Sequence, residues 1–196
     1  MTFLEISSAT MPNFDAYLVV DLEATCGDTI AHYKREIIEI GAVMVNGQFQ
    51  IESEFQTFVK PVANPQLTEF CIQLTSITQT TVDKAPDFNV AMSQFSQWVN
   101  GYPNRVFCAW GDFDRRQIQR DCKRHQLKNP LNITCFNLKT MFARSQQLPG
   151  TYALKQAMDL ANLTFTGTQH RGIDDARNLA KLLPFALGLQ RIDRNS

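Results

Sequence analysis

The chain has 196 residues, with 19 lysines and arginines against 19 aspartates and glutamates, so its formal net charge is zero and its composition lacks the basic excess of many nucleic-acid-binding domains. Its length suits one domain with a real hydrophobic core, no apolar run approaches the roughly 20 residues of a membrane span, and the first residues do not resemble a secretory signal. The widely spaced cysteines contain no C-x-x-C pair, which favours reduced, mostly buried thiols over a disulfide framework or a zinc ribbon, and we expect a cytoplasmic protein that does not enter a membrane.

Strand-like segments dominate the first part of the chain. The apolar, β-branched run at Ala16–Ala24 predicts a buried strand that ends in acidic residues. Two further strands are expected at Glu36–Val45 and Gln50–Val59, on either side of Asn46-Gly47, a dipeptide suited to the positive φ angles of a tight hairpin turn. These three strands should form an antiparallel unit.

Helices and strands alternate in the rest of the chain. Apolar spacing predicts a helix over Phe88–Val99, with Asp87 as its N-cap and Gly101 as its stop. Further strands are expected at Arg105–Trp110 and Ile133–Leu138, and further helices at Asp114–Leu127, Tyr152–Leu163 and Asp174–Leu187, the last with Pro184 as a kink point. This order predicts an α/β fold, a mixed five-stranded sheet flanked by helices, in a single domain at 16–190 after an N-terminal extension at 1–15.

Two pairs of acidic residues come at the ends of predicted strands. Asp21 and Glu23 are two residues apart, so in a strand they project from the same face, where protonation or a divalent cation would relieve their repulsion. Asp112 and Asp114 follow the fourth predicted strand, and two adjacent parallel strands would bring both pairs to one edge of the sheet. We interpret Asp112 as the N-cap of the following helix and Asp114 as the site residue.

A histidine and a further acid lie close together near the C-terminal end of the chain. His170 precedes Asp175 by five residues in HRGIDD, and an imidazole that titrates near neutral pH supplies the base that a cluster of acids lacks. Gly172, between them, suits a close backbone approach. His32 and His125 have no acidic partner at a useful spacing, and we interpret them as surface residues.

In chain order, DLE, then FD, then a histidine with an aspartate five residues later, resemble the DEDDh family of 3′-to-5′ exonucleases. The segments FCIQLTSITQTTVDKAPDF, FCAWGDFDRRQI and HRGIDDARNLA are similar to the subgroup that contains the histone-mRNA 3′-end exonuclease and its bacterial relatives. Four residues before the third acid, Asp114, many members of the wider family have Asn, whereas this chain has Trp110. The resemblance implies an RNase H-like fold.

The same resemblance implies a set of catalytic roles. It makes Asp21, Glu23, Asp114 and Asp175 the carboxylate ligands of two divalent cations and His170 the general base. Hard oxygen ligands suit Mg²⁺ or Mn²⁺, which would activate water and stabilise the leaving 3′ oxygen, with Asp21 bridging the two ions. The expected products are nucleoside 5′-monophosphates.

The resemblance also suggests where the substrate lies. It places the sugar and base of the terminal nucleotide against Leu74, Thr75 and the backbone of Ala24 and Thr25. The expected partner is a nucleic acid with a free, single-stranded 3′ end, and the subgroup favours RNA over DNA.

The densest basic segment, RRQIQRDCKRHQLK at 115–128, has two interpretations. It is either a solvated helix face or a guide for the substrate strand, since Arg115 and Arg116 directly follow Asp114. The sequence does not decide between them, and it does not predict an oligomeric state.

Two other functions remain as alternatives. A phosphatase could use Asp21 as a covalent nucleophile, but His170 would then have no role. The chain could also be a nucleic-acid-binding module that kept the fold and lost its catalytic activity, but all five expected catalytic residues are present.

Overall fold

The computed structural model describes residues 14–193, and its strands form one mixed sheet. The strands are β1 (Ala16–Ala24), β2 (Ile37–Asn46), β3 (Ile51–Phe58), β4 (Arg105–Ala109) and β5 (Cys135–Asn137). Their order across the sheet is β3-β2-β1-β4-β5, with β1, β2 and β3 antiparallel and with β4 parallel to both β1 and β5. The predicted mixed five-stranded sheet, with its antiparallel unit of three strands, is confirmed.

Helices are present in all four predicted segments, with shifted bounds, and three further helices at Glu69–Thr75, Gln79–Asp83 and Leu138–Ser145 were not predicted. The helices are α1 (Glu69–Thr75), α2 (Gln79–Asp83), α3 (Phe88–Asn100), α4 (Phe113–Arg124), α5 (Leu138–Ser145), α6 (Leu154–Leu160), α7 (Gly172–Lys181) and α8 (Leu183–Ala186), with a short 3₁₀ turn at His32–Lys34. Asp87 caps α3 by accepting a hydrogen bond from the Val90 N–H at 2.9 Å, as predicted. The last predicted helix is two helices, because Pro184 lies in the first turn of α8, where a missing N–H is tolerated.

The connection between β2 and β3 differs from the predicted two-residue turn. The positive φ angle lies at Phe49 (61°) instead of at Asn46 or Gly47. The Asn46 side chain accepts hydrogen bonds from the N–H groups of Gln48 and Gln50, both at 3.0 Å, and so organises a longer loop. The prediction of a hairpin was correct, but that of a tight Asn-Gly turn was wrong because the side chain of Asn46 bonds within the loop.

Side chains of β1 alternate between two apolar layers. Leu18, Val20 and Leu22 belong to the core that includes residues of α3 and α4, whereas Val19 belongs to the core that includes residues of α5 to α8. The period of two in a strand therefore directs Asp21 and Glu23 toward the layer that contains α7.

Several broader expectations can be compared with residues 14–193. No helix in this range is long and apolar enough to cross a membrane. All five cysteines lie in this range as free thiols, four of them buried. The predicted extension at 1–15 lies almost entirely outside the described residues, but Phe14 packs edge-on against Phe136, with ring centroids 5.7 Å apart.

Candidate active site

The first two acidic segments meet at the carboxyl end of β1. Because β1 and β4 are parallel neighbours, the start of α4, which follows β4, lies beside the end of β1. The Leu22 N–H donates a hydrogen bond of 3.0 Å to the Asp114 carboxylate, which is 4% exposed. This bond fixes Asp114 between Asp21 and Glu23 along the chain of β1, as the prediction of a shared sheet edge required.

The start of α7 reaches the same place through two glycines. Gly41 on β2 is the register partner of Asp21, and its lack of a side chain lets the backbone of Gly172 and Ile173 lie directly on the strand. A Cβ atom on Gly172 would lie 2.8 Å from the carbonyl oxygen of Asp21. The predicted close approach at Gly172 is confirmed, and it brings Asp175, one helical turn later, over β1.

Three side chains form a compact set of possible metal ligands. One ligand atom from each of Glu23, His170 and Asp175 lies within 4.8 Å of the other two. Glu23 and Asp175 are buried, while His170 is exposed. His170 has a positive φ of 60°, and its N–H donates a 2.8 Å hydrogen bond to the Asp175 carboxylate, which closes the turn between the two side chains.

The acidic residues raise one another's pKa values. Burial, followed by repulsion from Asp175, raises the pKa of Glu23 to about 9. Burial raises the pKa of Asp114 to about 7 and that of Asp175 to about 6. Burial, then the charges of Asp114, Asp175 and Glu23, raise the pKa of Asp21 well above its usual range. Four carboxyl groups that resist ionisation together are suited to hold divalent cations, whose charge would offset the repulsion.

A fifth acid, Glu39, lies beside this cluster and was missed in the sequence. It is the register partner of Glu23 on β2 and is 0% exposed. Its carboxylate accepts hydrogen bonds from Gln56 Nε2 at 2.6 Å, from Arg171 Nε at 3.1 Å and from the Gly172 N–H at 3.2 Å. An acid inside the otherwise apolar run EIIEIGAV was the available signal, because buried charges need partners.

The residues expected to line a nucleotide pocket differ in accessibility. Leu74 is 36% exposed on α1. Thr75, the last residue of α1, is fully buried, and its hydroxyl donates to the Cys71 carbonyl at 2.8 Å, so its predicted contact with a nucleotide stays a prediction. Ala24 and Thr25 are also buried, and the Thr25 N–H donates to the Glu36 carbonyl at 2.8 Å.

Two exposed aromatic residues in segments that the sequence assigned to the site were not singled out there. Phe70 is 56% exposed on α1, one turn before Leu74, and Phe113 is 37% exposed immediately before Asp114. Large exposed apolar side chains beside a site are candidates for contact with a ligand. The signal available in the sequence was their adjacency to segments already assigned to the site.

The basic residues that follow Asp114 lie on α4. Arg116 has a side chain that is 64% exposed and forms an ion pair of 3.4 Å with Asp112. Arg115 is partly buried, and Asp112 and Arg115 line a small cavity together. Asp112 occupies the N-cap position of α4 but makes no capping hydrogen bond through its side chain, so the predicted capping role is wrong.

The two other histidines lie apart from the acidic cluster. His32 is exposed, as expected. His125 is partly exposed, and its ring stacks on Phe88 with the centroids 4.8 Å apart, so one face of this surface residue is covered. Trp110 is held by a 3.0 Å hydrogen bond from its indole N–H to the Tyr152 carbonyl, which shows that it packs the end of β4.

Comparison with known proteins agrees with this arrangement of residues. The model of the RNase_T family, described as Exonuclease, matches residues 18–183. The chain belongs to this exonuclease family. This exonuclease-family chain is 32% identical to ERI1 exoribonuclease 2 of Homo sapiens over 197 residues, an alignment that covers 86% of this chain and 28% of the human protein.

Solved structures of exonucleases share the fold of this family member. The nuclease domain of 3′hExo, described as a DEDDh family member bound to rAMP, superposes with a TM-score of 0.79 at 27% identity, over 95% of this chain and 100% of that one. A 3′-exonuclease in 3′-end specific recognition of a histone mRNA stem-loop gives a TM-score of 0.81 at 26% identity, over 89% of this chain and 64% of that one. The resemblance to the DEDDh family and the RNase H-like fold are confirmed.

Proposed function

We propose that this chain is a metal-dependent 3′-to-5′ exonuclease that removes nucleoside 5′-monophosphates from single-stranded RNA ends, using two Mg²⁺ or Mn²⁺ ions. The observation that carries the proposal is the convergence of four mutually repelling carboxyl groups and one exposed imidazole at the end of β1. Membership of the exonuclease family supports the reaction class.

Each residue has a role that follows from its position. Asp21, whose pKa is raised by burial and then by the charges of Asp114 and Asp175, would be one of the carboxylate ligands that hold the ions. Glu23 and Asp175 would complete the shell on the side of His170. When bound, the two ions supply activation of the attacking water and stabilisation of the leaving 3′ oxygen.

His170 would act as the general base. Its imidazole lies with Glu23 and Asp175 and is open to solvent, so it can take a proton from the attacking water and release it to the bulk.

Several features support RNA as the substrate. The human relative is named an exoribonuclease, and the two structural relatives are described with a histone mRNA stem-loop and with rAMP. The exposed side chains of Leu74, Phe70 and Phe113 would offer apolar surfaces for the terminal nucleotide. Arg115 and Arg116 would attract the phosphates upstream of it.

The test is digestion of matched 3′-labelled and 5′-labelled RNA and DNA oligonucleotides with Mg²⁺ or Mn²⁺. We expect the 3′ label to leave first as a mononucleotide, RNA to be cut faster than DNA, and a blocked 3′ end to prevent cleavage. Endonucleolytic products, or hydrolysis of small phosphomonoesters with a trapped aspartyl-phosphate, would contradict the proposal. Binding of an oligonucleotide without cleavage in Mn²⁺ would favour an inactive binding module.

Two substitutions test the site residues. Asp21→Asn should abolish cleavage because it removes the carboxylate charge shared by the ions, and His170→Ala should lower kcat by about 100-fold or more because the base is lost. Asp159→Asn, a surface change on α6 where Asp159 pairs with Lys155 at 2.9 Å, is the matched control and should cleave at the wild-type rate. Wild-type rates for Asp21→Asn or His170→Ala would contradict the assignment.

A further inference from the structure

The Glu39 carboxylate makes contacts that converge on one short segment of chain. Both of its oxygens lie within hydrogen-bonding distance of Arg171, Oε2 at 3.1 Å from Nε and Oε1 at 3.5 Å from Nη2. Oε2 also accepts the Gly172 N–H at 3.2 Å, and Oε1 accepts Gln56 Nε2 at 2.6 Å. A fully buried carboxylate with this many donors is held in one orientation.

The segment that Glu39 holds lies between two candidate catalytic residues. Arg171 directly follows His170, and Gly172 begins α7 three residues before Asp175. The N–H of Gly172 is one of the helix-start amides that have no partner inside the helix, so Glu39 caps α7 from across the sheet. The N-cap residue Arg171 provides no side-chain cap of its own.

The Arg171 side chain is fixed from a second direction. Its guanidinium lies over the Phe58 ring at 5.3 Å from the centroid, and Phe58 is the register partner of Glu39 on β3. The guanidinium is therefore held between a carboxylate and an aromatic face, which restricts the backbone on both sides of it.

We propose that Glu39 is a positioning residue: through Arg171 and Gly172 it holds His170 and Asp175 at the separation from Glu23 that cleavage requires. This inference rests on the proposed exonuclease activity for its kinetic consequence, but its structural consequence does not depend on that activity. Glu39 has these partners of its own. Its charge also repels the carboxylates of Asp21, Glu23 and Asp175, but its hydrogen bonds act on the site through the backbone at the start of α7.

A second ion pair on α7 provides a matched control. Arg177 pairs with Glu54 of β3 at 2.6 Å and with Asp174 at 2.9 Å, so it also ties α7 to the sheet. This pair lies on the C-terminal side of Asp175 and is more exposed, whereas the Glu39 pair lies between His170 and Asp175. If both ion pairs served only to attach α7 to the sheet, removal of either pair would have the same effect on cleavage. If Glu39 positions the site, removal of its ion pair should lower the cleavage rate more.

Hydrogen–deuterium exchange on the metal-free protein tests the structural part. In Glu39→Gln, the amides of His170 and Gly172 should exchange faster by about an order of magnitude, because the turn before α7 opens locally more often. In Glu54→Gln these two amides should keep their wild-type rates. Unchanged exchange at His170 and Gly172 in Glu39→Gln would overturn the proposal.

Steady-state cleavage of single-stranded RNA tests the catalytic part. Glu39→Gln should lower kcat by about 10-fold to 100-fold, as loss of a residue that orients metal ligands does, while KM changes by less than about twofold. Glu54→Gln should keep the wild-type kcat. Arg171→Gln should lower kcat in the wild type but add little in the Glu39→Gln background, because both changes remove the same ion pair.

The results separate the two proposals. Equal losses of kcat in Glu39→Gln and Glu54→Gln, matched by equal losses of thermal stability, would show a general structural role and overturn the positioning role. A wild-type protein that leaves RNA uncut would refute the exonuclease proposal, and the exchange rates would still decide whether Glu39 holds the segment.

Discussion

Gly41 and Gly172 are in backbone contact, and this single contact sets the height of α7 above the sheet. A methyl group on Gly41 would overlap the backbone of Gly172 and Ile173, which cannot rotate away as a flexible side chain could. Gly41→Ala should therefore lift the start of α7, destabilise the fold by about 3 kcal/mol or more, and reduce cleavage strongly. Thermal unfolding and a cleavage assay with Mg²⁺ check both effects.

Gly47→Ala is the control for this substitution. A Cβ atom at Gly47 would meet nothing within 4 Å, and this glycine lies in the loop between β2 and β3. The variant should unfold at about the wild-type temperature and keep its activity, since surface changes are usually within about 0.5 kcal/mol. If Gly41→Ala behaved in the same way, the close approach of α7 would not be needed for the site.

The residues of the site divide into those that the sequence reveals and those that it conceals. Asp21, Glu23, Asp114 and Asp175 could be predicted because they lie at strand ends and helix starts in an order that resembles the DEDDh family. Glu39 could not be placed in the same way, because its partner Arg171 is 132 positions away in the chain and their contact depends on the packing of α7 over β2. The same limit applies to Thr75, whose burial depends on how α1 lies on the sheet.

At the scale of elements, α4 combines a buried face that supports the site with a basic exposed face. Asp114 and Asp121 accept backbone N–H groups of Leu22 and Ile37, so the polar side chains of the inner face fix the helix to β1 and β2. The basic residues of the outer face are therefore held at a constant distance from the acids. This rigid link would let α4 guide a nucleic-acid strand toward the acids.

Neutralising the outer face tests that link. The double variant Arg115→Gln/Arg116→Gln should weaken binding of single-stranded RNA and reduce the slope of log K against log salt by about 0.7 for each phosphate that is no longer neutralised. Lys155→Gln on α6, which removes a positive charge from another helix, should leave the slope unchanged. A salt slope in the double variant equal to that of the wild type would return α4 to the interpretation as a solvated helix face.

All five strands and four of the helices were predictable in type but not in their exact ends, whereas the short helices α1, α2 and α5 were not predicted. The strand at Ala16–Ala24 and the cap at Asp87 match the structure because a β-branched run and a capping side chain act locally. The Asn46 loop was harder, since a side-chain hydrogen bond decided it, whereas the break at Pro184 had been predicted as a kink. Local patterns therefore determine which elements form, and tertiary contacts determine where they stop.

At the scale of the whole molecule, the sheet order could be anticipated only in part. The adjacency of β2 and β3 follows from their short connection, and the parallel pairing of β4 with β5 follows from the intervening helix α4. The packing of α7 on the antiparallel strands could not be predicted from the spacing of residues in the sequence. It depends on the size of the gap left at Gly41, which is visible only when the sheet is assembled.

The raised pKa values of the site make the stability of the whole protein depend on pH and metal. Unfolded carboxyl groups have pKa values of about 4, whereas in the fold Asp175 has a pKa of about 6, Asp114 of about 7 and Glu23 of about 9. At pH values between the unfolded and the folded pKa values, the native state binds more protons than the unfolded state. These groups therefore contribute their full stabilisation below about pH 4, and this contribution is lost as the pH rises through the folded pKa values.

The metal-free protein should therefore have a Tm that falls from pH 5 to pH 9 in the presence of a chelator. Added Mg²⁺ should raise the Tm, and by more at pH 9 than at pH 5, because a cation binds the deprotonated carboxylates and stabilises the native state in proportion to its affinity. In Asp114→Asn, which lacks one of the titrating groups, the fall of the metal-free Tm around pH 7 should be smaller. A metal-free Tm that stayed level or rose between pH 5 and pH 9 would contradict a site of mutually repelling acids, since such acids can only disfavour the fold as they ionise.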